Sequence, residues 1–287
     1  MLEAKFYDTY HFCNVVKNVL YHSENYLGVL NDFHGDGRIY YRLSTFNKYS
    51  ILHEFIEFIV HDVYYDQSSE AALEKKQKNQ EVYQDIPIAL NILRPSALPI
   101  ELALEHHNMP HQSFEDFLDK QNKKFIECDI DDAYEFIHTL RETGVFHELI
   151  EHISKEVFHV VFQNRDLMKN FNILMANALE HEARSETPNE IKKIFSRPGI
   201  LKRVAIPVWV RRAVFFRDRG RCVLCDKDLS GQVNLENKEN YDHIVPLAMH
   251  GLNDISNIQL LCKECNQHEK RAKEAVTSDN YQSWYTY

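Results

Sequence analysis

Cys222-Val223-Leu224-Cys225, Tyr241-Asp242-His243-Ile244-Val245-Pro246-Leu247 and Leu260-Leu261-Cys262-Lys263-Glu264-Cys265-Asn266 decide how the C-terminal part of this chain must fold. Each Cys-x-x-Cys pair presents two sulfurs from one tight knuckle. Two knuckles together close a tetrahedral zinc site at about 2.3 Å per Zn–S bond. The 36 residues between the knuckles exceed the usual zinc-ribbon spacing, so a substantial element lies between them. The start, Met1 to Asp8, shows no basic region followed by an apolar one, and a cytoplasmic protein is expected. In a reducing compartment four such thiols are poorly explained as disulfides. Cys13 and Cys128 stand apart and read as buried small apolar residues.

Between the knuckles, Asp-His-Ile-Val-Pro is followed by Gly251, Asn257 and Leu260-Leu261, and the second knuckle ends Cys265-Asn266. In order, spacing and residue type this pattern resembles the HNH nucleases, the ββα-metal family, over residues 205–275. The resemblance implies a β-hairpin carrying the Asp-His pair, a following helix carrying the third motif residue, and zinc pinning the two ends. It implies His243 as general base, Asp242 and Asn266 as ligands of a catalytic divalent ion, and Asn257 as the brace of the loop behind the histidine. Cys222, Cys225, Cys262 and Cys265 match the structural zinc site, which is closed and does no chemistry. Two positions depart from the family pattern. His250 stands where a glycine is common, and Glu269 where a basic residue is common, with His268 before it and Lys270-Arg271 after it.

These residue types suit phosphodiester hydrolysis on chemical grounds. The reaction needs an activated water, an in-line leaving oxygen and a cation to neutralise developing charge. A histidine near its ordinary pKa takes a proton from water at neutral pH. Carboxylate and amide oxygens suit Mg²⁺, and Mn²⁺ accepts the same donors. Adjacent residues of a regular strand point to opposite faces, so a twist or bulge is expected where Asp242 and His243 serve one spot.

Charge divides the chain in the same place. Residues 1–190 hold 17 basic and 32 acidic side chains, whereas residues 191–287 hold 16 and 11. Ile191 to Arg221 carries ten basic residues against one acid, Asp218, which points to a polyanion partner for the C-terminal part alone. Val208 to Arg217 reads as an amphipathic helix with Val210, Val214 and Phe215 on one face. Arg211, Arg212, Arg217, Arg219, Lys270 and Arg271 are the candidate nucleic-acid contacts, of the kind that position a duplex without reading its sequence. Tyr281, Trp284, Tyr285 and Tyr287 are expected to dock the tail onto the fold.

The first 185 residues read mostly as helices. From Gly144 to Phe162 the apolar positions Phe146, Leu149, Ile150, Ile153, Val157, Val160 and Val161 fall at helical intervals, and similar patterns run through 50–65 and 164–182. Ser113 and Asp132 are the expected helix starts, Arg38–Leu43 a short strand, and 66–81 an exposed helix or loop. Thirteen of the sixteen histidines lie here, but His147 and His152 are five apart and so turned away from each other on a helix. His106, His107 and His111 flank a turn at Met109-Pro110, and all of these read as surface or satisfied side chains. No apolar stretch is long enough for a membrane helix.

The expected architecture is α+β: a mainly helical domain over 1–185 that regulates, recruits or dimerises, a basic linker over 186–204, and a zinc-stapled ββα-metal nuclease domain over 205–287. The implied activity is metal-dependent cleavage of DNA, double-stranded by preference, one strand per site, in the setting of bacterial restriction or anti-phage defence. A mobile-element nuclease and a zinc-dependent nucleic-acid binder without catalysis are the alternatives.

Overall fold

The computed structural model describes residues 8–67, 73–74, 77–78, 97–184, 187–230, 238–269 and 274–280. It is α+β: helices dominate up to residue 182, and two small antiparallel sheets follow. The chain forms two compact units, one spanning Met1–Tyr10 and Glu57–Glu156, the other His11–Ile56 and Val157–Tyr287. The division falls inside helices α1 (Asp8–Tyr21), α4 (Ile51–Gln67) and α8 (Val145–Val161).

In the first unit, α5 (Pro99–His106), α6 (Phe114–Lys120) and α7 (Ile130–Glu142) join the early part of α8. Ser113 caps α6 as expected, its Oγ accepting from Asp116 N at 3.0 Å. The start of α7 is a correction. Asp129 is the N-cap, and Asp132 is the third helical residue, its Oδ2 accepting from Asp129 N at 2.8 Å in a reciprocal capping box. Phe114, Phe117, Phe125 and Phe136 fill the core, the Phe114 and Phe136 rings 5.2 Å apart. His147 and His152 are exposed, as expected of surface side chains. Buried Glu101 accepts from Leu98 N and Phe114 N, both at 3.3 Å, which ties the start of α5 to that of α6.

The second unit builds its helical part from α1 after residue 10, α2 (Leu27–His34), α3 (Arg38–Arg42), the start of α4, the end of α8 and α9 (Arg165–Glu182). Phe33, Phe55 and Phe171 meet at its centre, with ring separations of 5.2 and 5.3 Å. The strand expected at 38–43 is the helix α3. Adjacent Ile39 and Tyr40 are both buried, so no alternating exposed face exists for a strand to present. Into this helical layer pack the hairpin β1 (Phe195–Arg197) and β2 (Ile200–Leu201), helix α10 (Val208–Arg217), and the pair β3 (Tyr241–His243) and β4 (Ile258–Leu260).

The compact units therefore divide the chain elsewhere than at 185 and 205. Phe46 N donates to Asn253 O at 2.9 Å and Ile51 N to Asp254 Oδ2 at 3.3 Å, so the loop before β4 caps the N-terminus of α4. Asn172 Nδ2 of α9 donates to Ser256 Oγ at 3.1 Å. The segment expected to be a linker holds the β1–β2 hairpin, turned at Gly199 with φ +69°. A Cβ there would lie 2.6 Å from the Ala183 Cβ and 2.7 Å from the His250 ring, so glycine is required by space as well as by φ.

Candidate active site

The site is assembled on the β3–β4 pair. Tyr241, Asp242 and His243 face Leu260, Gln259 and Ile258 in unbroken antiparallel register. The pairing carries no bulge at Asp242 and His243, so of the two devices expected the bulge is absent. The sheet has two strands, and a cleft of about 800 Å³ runs along β3 so that Tyr241, Asp242 and His243 all line it. Asn266, Glu239 and Gln267 line the same cleft from the helical turns after the second knuckle and from the approach to β3. Its other wall is the β1–β2 hairpin and its exit, with Ser196, Arg197 and Arg203.

His243 is 2% exposed, its Nδ1 4.0 Å from Asp242 Oδ1 and its Nε2 3.3 Å from Asn253 Oδ1. Asp242 is partly exposed to the cleft, with Arg203 Nη2 3.7 Å from Oδ1. Asn266 donates from Nδ2 to Glu239 O at 2.9 Å, which leaves its Oδ1 as the atom suited to a hard cation. Asp242 and Asn266 thus line one cleft with oxygen donors of the type a hard divalent cation takes.

Asn257 is fully buried and does what a loop brace must do. Its Oδ1 accepts from Val245 N at 2.8 Å, and its Nδ2 donates to Val245 O at 3.0 Å and Leu252 O at 2.9 Å. Its backbone carbonyl accepts from Ile244 N, closing the pair at the residue after His243. Within this loop a Cβ on Gly251 would sit 2.0 Å from Val245 O, so no other residue fits. His250 adopts the left-handed conformation, φ +61°, and donates from Nδ1 to Gly199 O at 2.9 Å. That bond to the hairpin is what the histidine provides where a glycine is more usual.

The four cysteines converge as expected, their sulfurs all within 4.8 Å of one another. Cys225 Sγ and Cys262 Sγ are 3.7 Å apart, close to the edge of about 3.8 Å that a tetrahedron of 2.3 Å bonds requires. Cys265 N lies 3.4 Å from Cys262 Sγ, the amide-to-sulfur contact of a knuckle. Burial pushes the Cys262 thiol up to about 11 and Cys265 higher still, so zinc binding there displaces protons. The first knuckle is tied to β4 through Val223 N and Leu260 O at 3.0 Å, and the second follows β4 directly. Zinc would thus pin the two knuckles at the Leu260 end of the strand pair.

The arginines divide unlike their expected roles. Arg217 is buried, bound at Nε and Nη2 to both oxygens of Asp218 at 2.8 and 2.9 Å, and donates to Ile258 O at 2.7 Å. Asp218 also accepts from Leu260 N at 2.9 Å and lies 3.7 Å from Arg165 Nη1 of α9. Arg217 is therefore a structural cation behind β4, and Arg211 is buried on the same helix. Arg212 is exposed, while half-buried Arg219 lines a separate cavity with Arg165 and Asp279. Lys270, Arg271, the tail aromatics from Tyr281 onward, and the side chains of His268 and Glu269 lie outside the described residues. Sequence spacing does not single out Arg197 and Arg203. Both belong to the basic run, which is the one signal that could have found them.

Residues 222–281 match the family model of the HNH endonucleases. Over these residues the chain is similar to the HNH endonucleases. No curated protein and no solved structure shows significant similarity to the chain. The matched segment begins at the first zinc cysteine and includes the Asp-His pair, the bracing asparagine and Asn266. The HNH domain implies a nucleic-acid substrate and nuclease chemistry, and no helix among the described residues is long and apolar enough to cross a membrane.

Proposed function

We propose that the chain is a metal-dependent DNA endonuclease that nicks one strand per active site. The observation that carries this reading is the convergence of His243, Asp242 and Asn266 on one cleft whose opposite wall supplies Arg197 and Arg203. His243 takes the proton from the attacking water, Asp242 and Asn266 hold the divalent ion, and Asn257 keeps the histidine loop in place. Bound there, a divalent ion would supply positive charge against that developing on the phosphate and leaving oxygen. Arg197, Arg203 and exposed Arg212 contact flanking phosphates, whereas Arg211 and Arg217 are too buried to do so. A duplex is the favoured substrate because phosphate contacts of this kind position a double helix.

The helical residues 11–56 and 157–182 act as the base on which the HNH loop rests, because they cap and bond residues 253–256. Regulation, a protein partner or homodimerisation is assigned to the acidic unit over 57–156. The setting we favour is cytoplasmic restriction or anti-phage defence in a bacterium, since a nuclease joined to a non-catalytic helical module suits that role.

The test is cleavage of supercoiled plasmid by the full-length protein in EDTA, Mg²⁺ or Mn²⁺, with His243→Ala alongside. Open circles that need the metal, and a rate falling about 10²–10⁴-fold in the variant, are expected. Plasmid binding without cleavage under every condition would replace the enzyme by a zinc-dependent DNA-binding module.

A further inference from the structure

A second cavity, of about 400 Å³, lies in the second unit where the start of α9 meets the end of α10, and it shares no lining residue with the catalytic cleft. Asn164, Arg165 and Asp166 line it from the first turn of the 18-residue α9, and Arg217 and Arg219 from the end of α10. Three guanidinium groups thus share one small space. Burial lowers the Arg165 pKa; Asp218 and Asp279 oppose that shift, and Arg217 and Arg219 add to it. Asp166 is engaged by Tyr21 OH at 2.6 Å and by Lys169 Nζ at 2.9 Å. With Lys169 and Asp218 included, the cations around the cavity exceed the acids by one.

Arg217 sets the chemistry of the site. Its Nε and Nη2 bind Asp218 and the Ile258 carbonyl, and the Phe162 ring covers its face, 4.8 Å from Cζ. Its Nη1 is buried and has no hydrogen-bond partner among the described residues. A buried charged donor left without an acceptor is costly, so this nitrogen calls for an acceptor from outside the chain. A phosphate oxygen is one, and the positive end of the α9 dipole favours it further. A duplex backbone does not reach Arg217, but the cavity has the size of a small-molecule site. Tyr21 and Val160, 38% and 42% exposed, belong to the same lining and offer an apolar contact to the rest of a ligand.

We propose that this cavity binds a small phosphorylated molecule of the nucleoside monophosphate class, its phosphate on Arg217 Nη1 and Arg219 and its base against Tyr21 and Val160. The site is independent of the catalytic reading. It adjoins the strand pair nonetheless, because Arg217 and Asp218 also bond Ile258 O and Leu260 N of β4.

The test is calorimetric titration of full-length, zinc-loaded protein with adenosine monophosphate in buffer without Mg²⁺, with adenosine as the phosphate-free control. The monophosphate should bind once per chain and, at about 100 times its Kd, raise Tm by about 5–10 °C. Adenosine should bind at least about tenfold more weakly. Arg219→Gln keeps a long polar side chain without the charge and should weaken the monophosphate about 10–100-fold. Arg203→Ala, in the catalytic cleft, should leave that affinity unchanged. No binding at millimolar monophosphate, equal affinity for adenosine, or an affinity unchanged in Arg219→Gln overturns the proposal. Loss of binding in Arg203→Ala also overturns it, by placing the nucleotide in the catalytic cleft. If the monophosphate does not bind and Arg219→Gln lowers the salt slope of DNA binding, the arginine faces DNA instead. Should Arg219→Gln fail to fold, the adenosine control and Arg203→Ala still decide.

Discussion

Asp218→Ala tests whether the buried ion cluster behind β4 holds the catalytic strands. The carboxylate is fully buried, as is the Arg217 side chain, and Arg165 is 7% exposed. Truncating Asp218 removes two charge-assisted bonds from Arg217, the neighbour of Arg165, and the acceptor of Leu260 N. Two buried guanidinium groups then lose the carboxylate they share. Breaking a buried pair from one side costs about 3–5 kcal/mol, and we expect about 4 kcal/mol here. For a unit of this size that lowers Tm by roughly 8–16 °C and, with an m value of about 2 kcal/mol/M, the urea midpoint by about 2 M. The assay is urea unfolding of the zinc-loaded protein followed by tryptophan fluorescence, with Trp209 on α10 as the nearby reporter. Asp218→Asn keeps the shape and one acceptor and should lose less. A loss below about 1 kcal/mol for Asp218→Ala would refute the reasoning, because it would mean that both arginines find water or other partners at no cost.

Four further outcomes follow from the site. Cys262→Ser should abolish stoichiometric zinc by elemental analysis and unfold the HNH region, since one of four converging sulfurs is lost and the metal contributes folding energy directly. Asn257→Ala removes three buried hydrogen bonds and should cost about 2–3 kcal/mol in urea unfolding, with cleavage reduced more than DNA affinity because the histidine loop loses its brace. Arg203→Ala should weaken DNA binding and lower the slope of log K against log salt by about 0.9, the value for one phosphate contact. Arg211→Ala should leave that slope unchanged and lower stability instead, because Arg211 is buried.

Much of the site was legible because HNH chemistry is written in short, local spacings. Two Cys-x-x-Cys knuckles, an Asp-His pair before Ile-x-Pro and an asparagine after the last cysteine each constrain only a few neighbouring residues, so the amino-acid string displays them directly. The helices at 145–161 and 165–182 were legible for a similar reason, since a 3.6-residue apolar period is a property of the local sequence. A five-residue element is too short for such a period, and at Arg38–Arg42 burial of Ile39 and Tyr40 by the rest of the unit chose helix over strand.

The remaining features depend on residues far apart in the chain. Arginines of one basic run look alike in sequence, yet Arg217 meets Asp218 and the Ile258 carbonyl in the interior while Arg197 and Arg203 line the cleft. Asn253 reads as an ordinary loop residue until Lys202, 51 positions away, and His243 fix its two amide ends. Asp254 meets the start of a helix that begins 203 residues earlier, a contact that no local pattern announces. The sequence by itself displayed the HNH motifs and the four-cysteine cluster, since residue types at fixed local spacing suffice for that. Only the tertiary structure decided which arginines are buried and which line the cleft, and which helices meet the HNH region, because burial and hydrogen-bond partners come from the folding of distant segments onto one another.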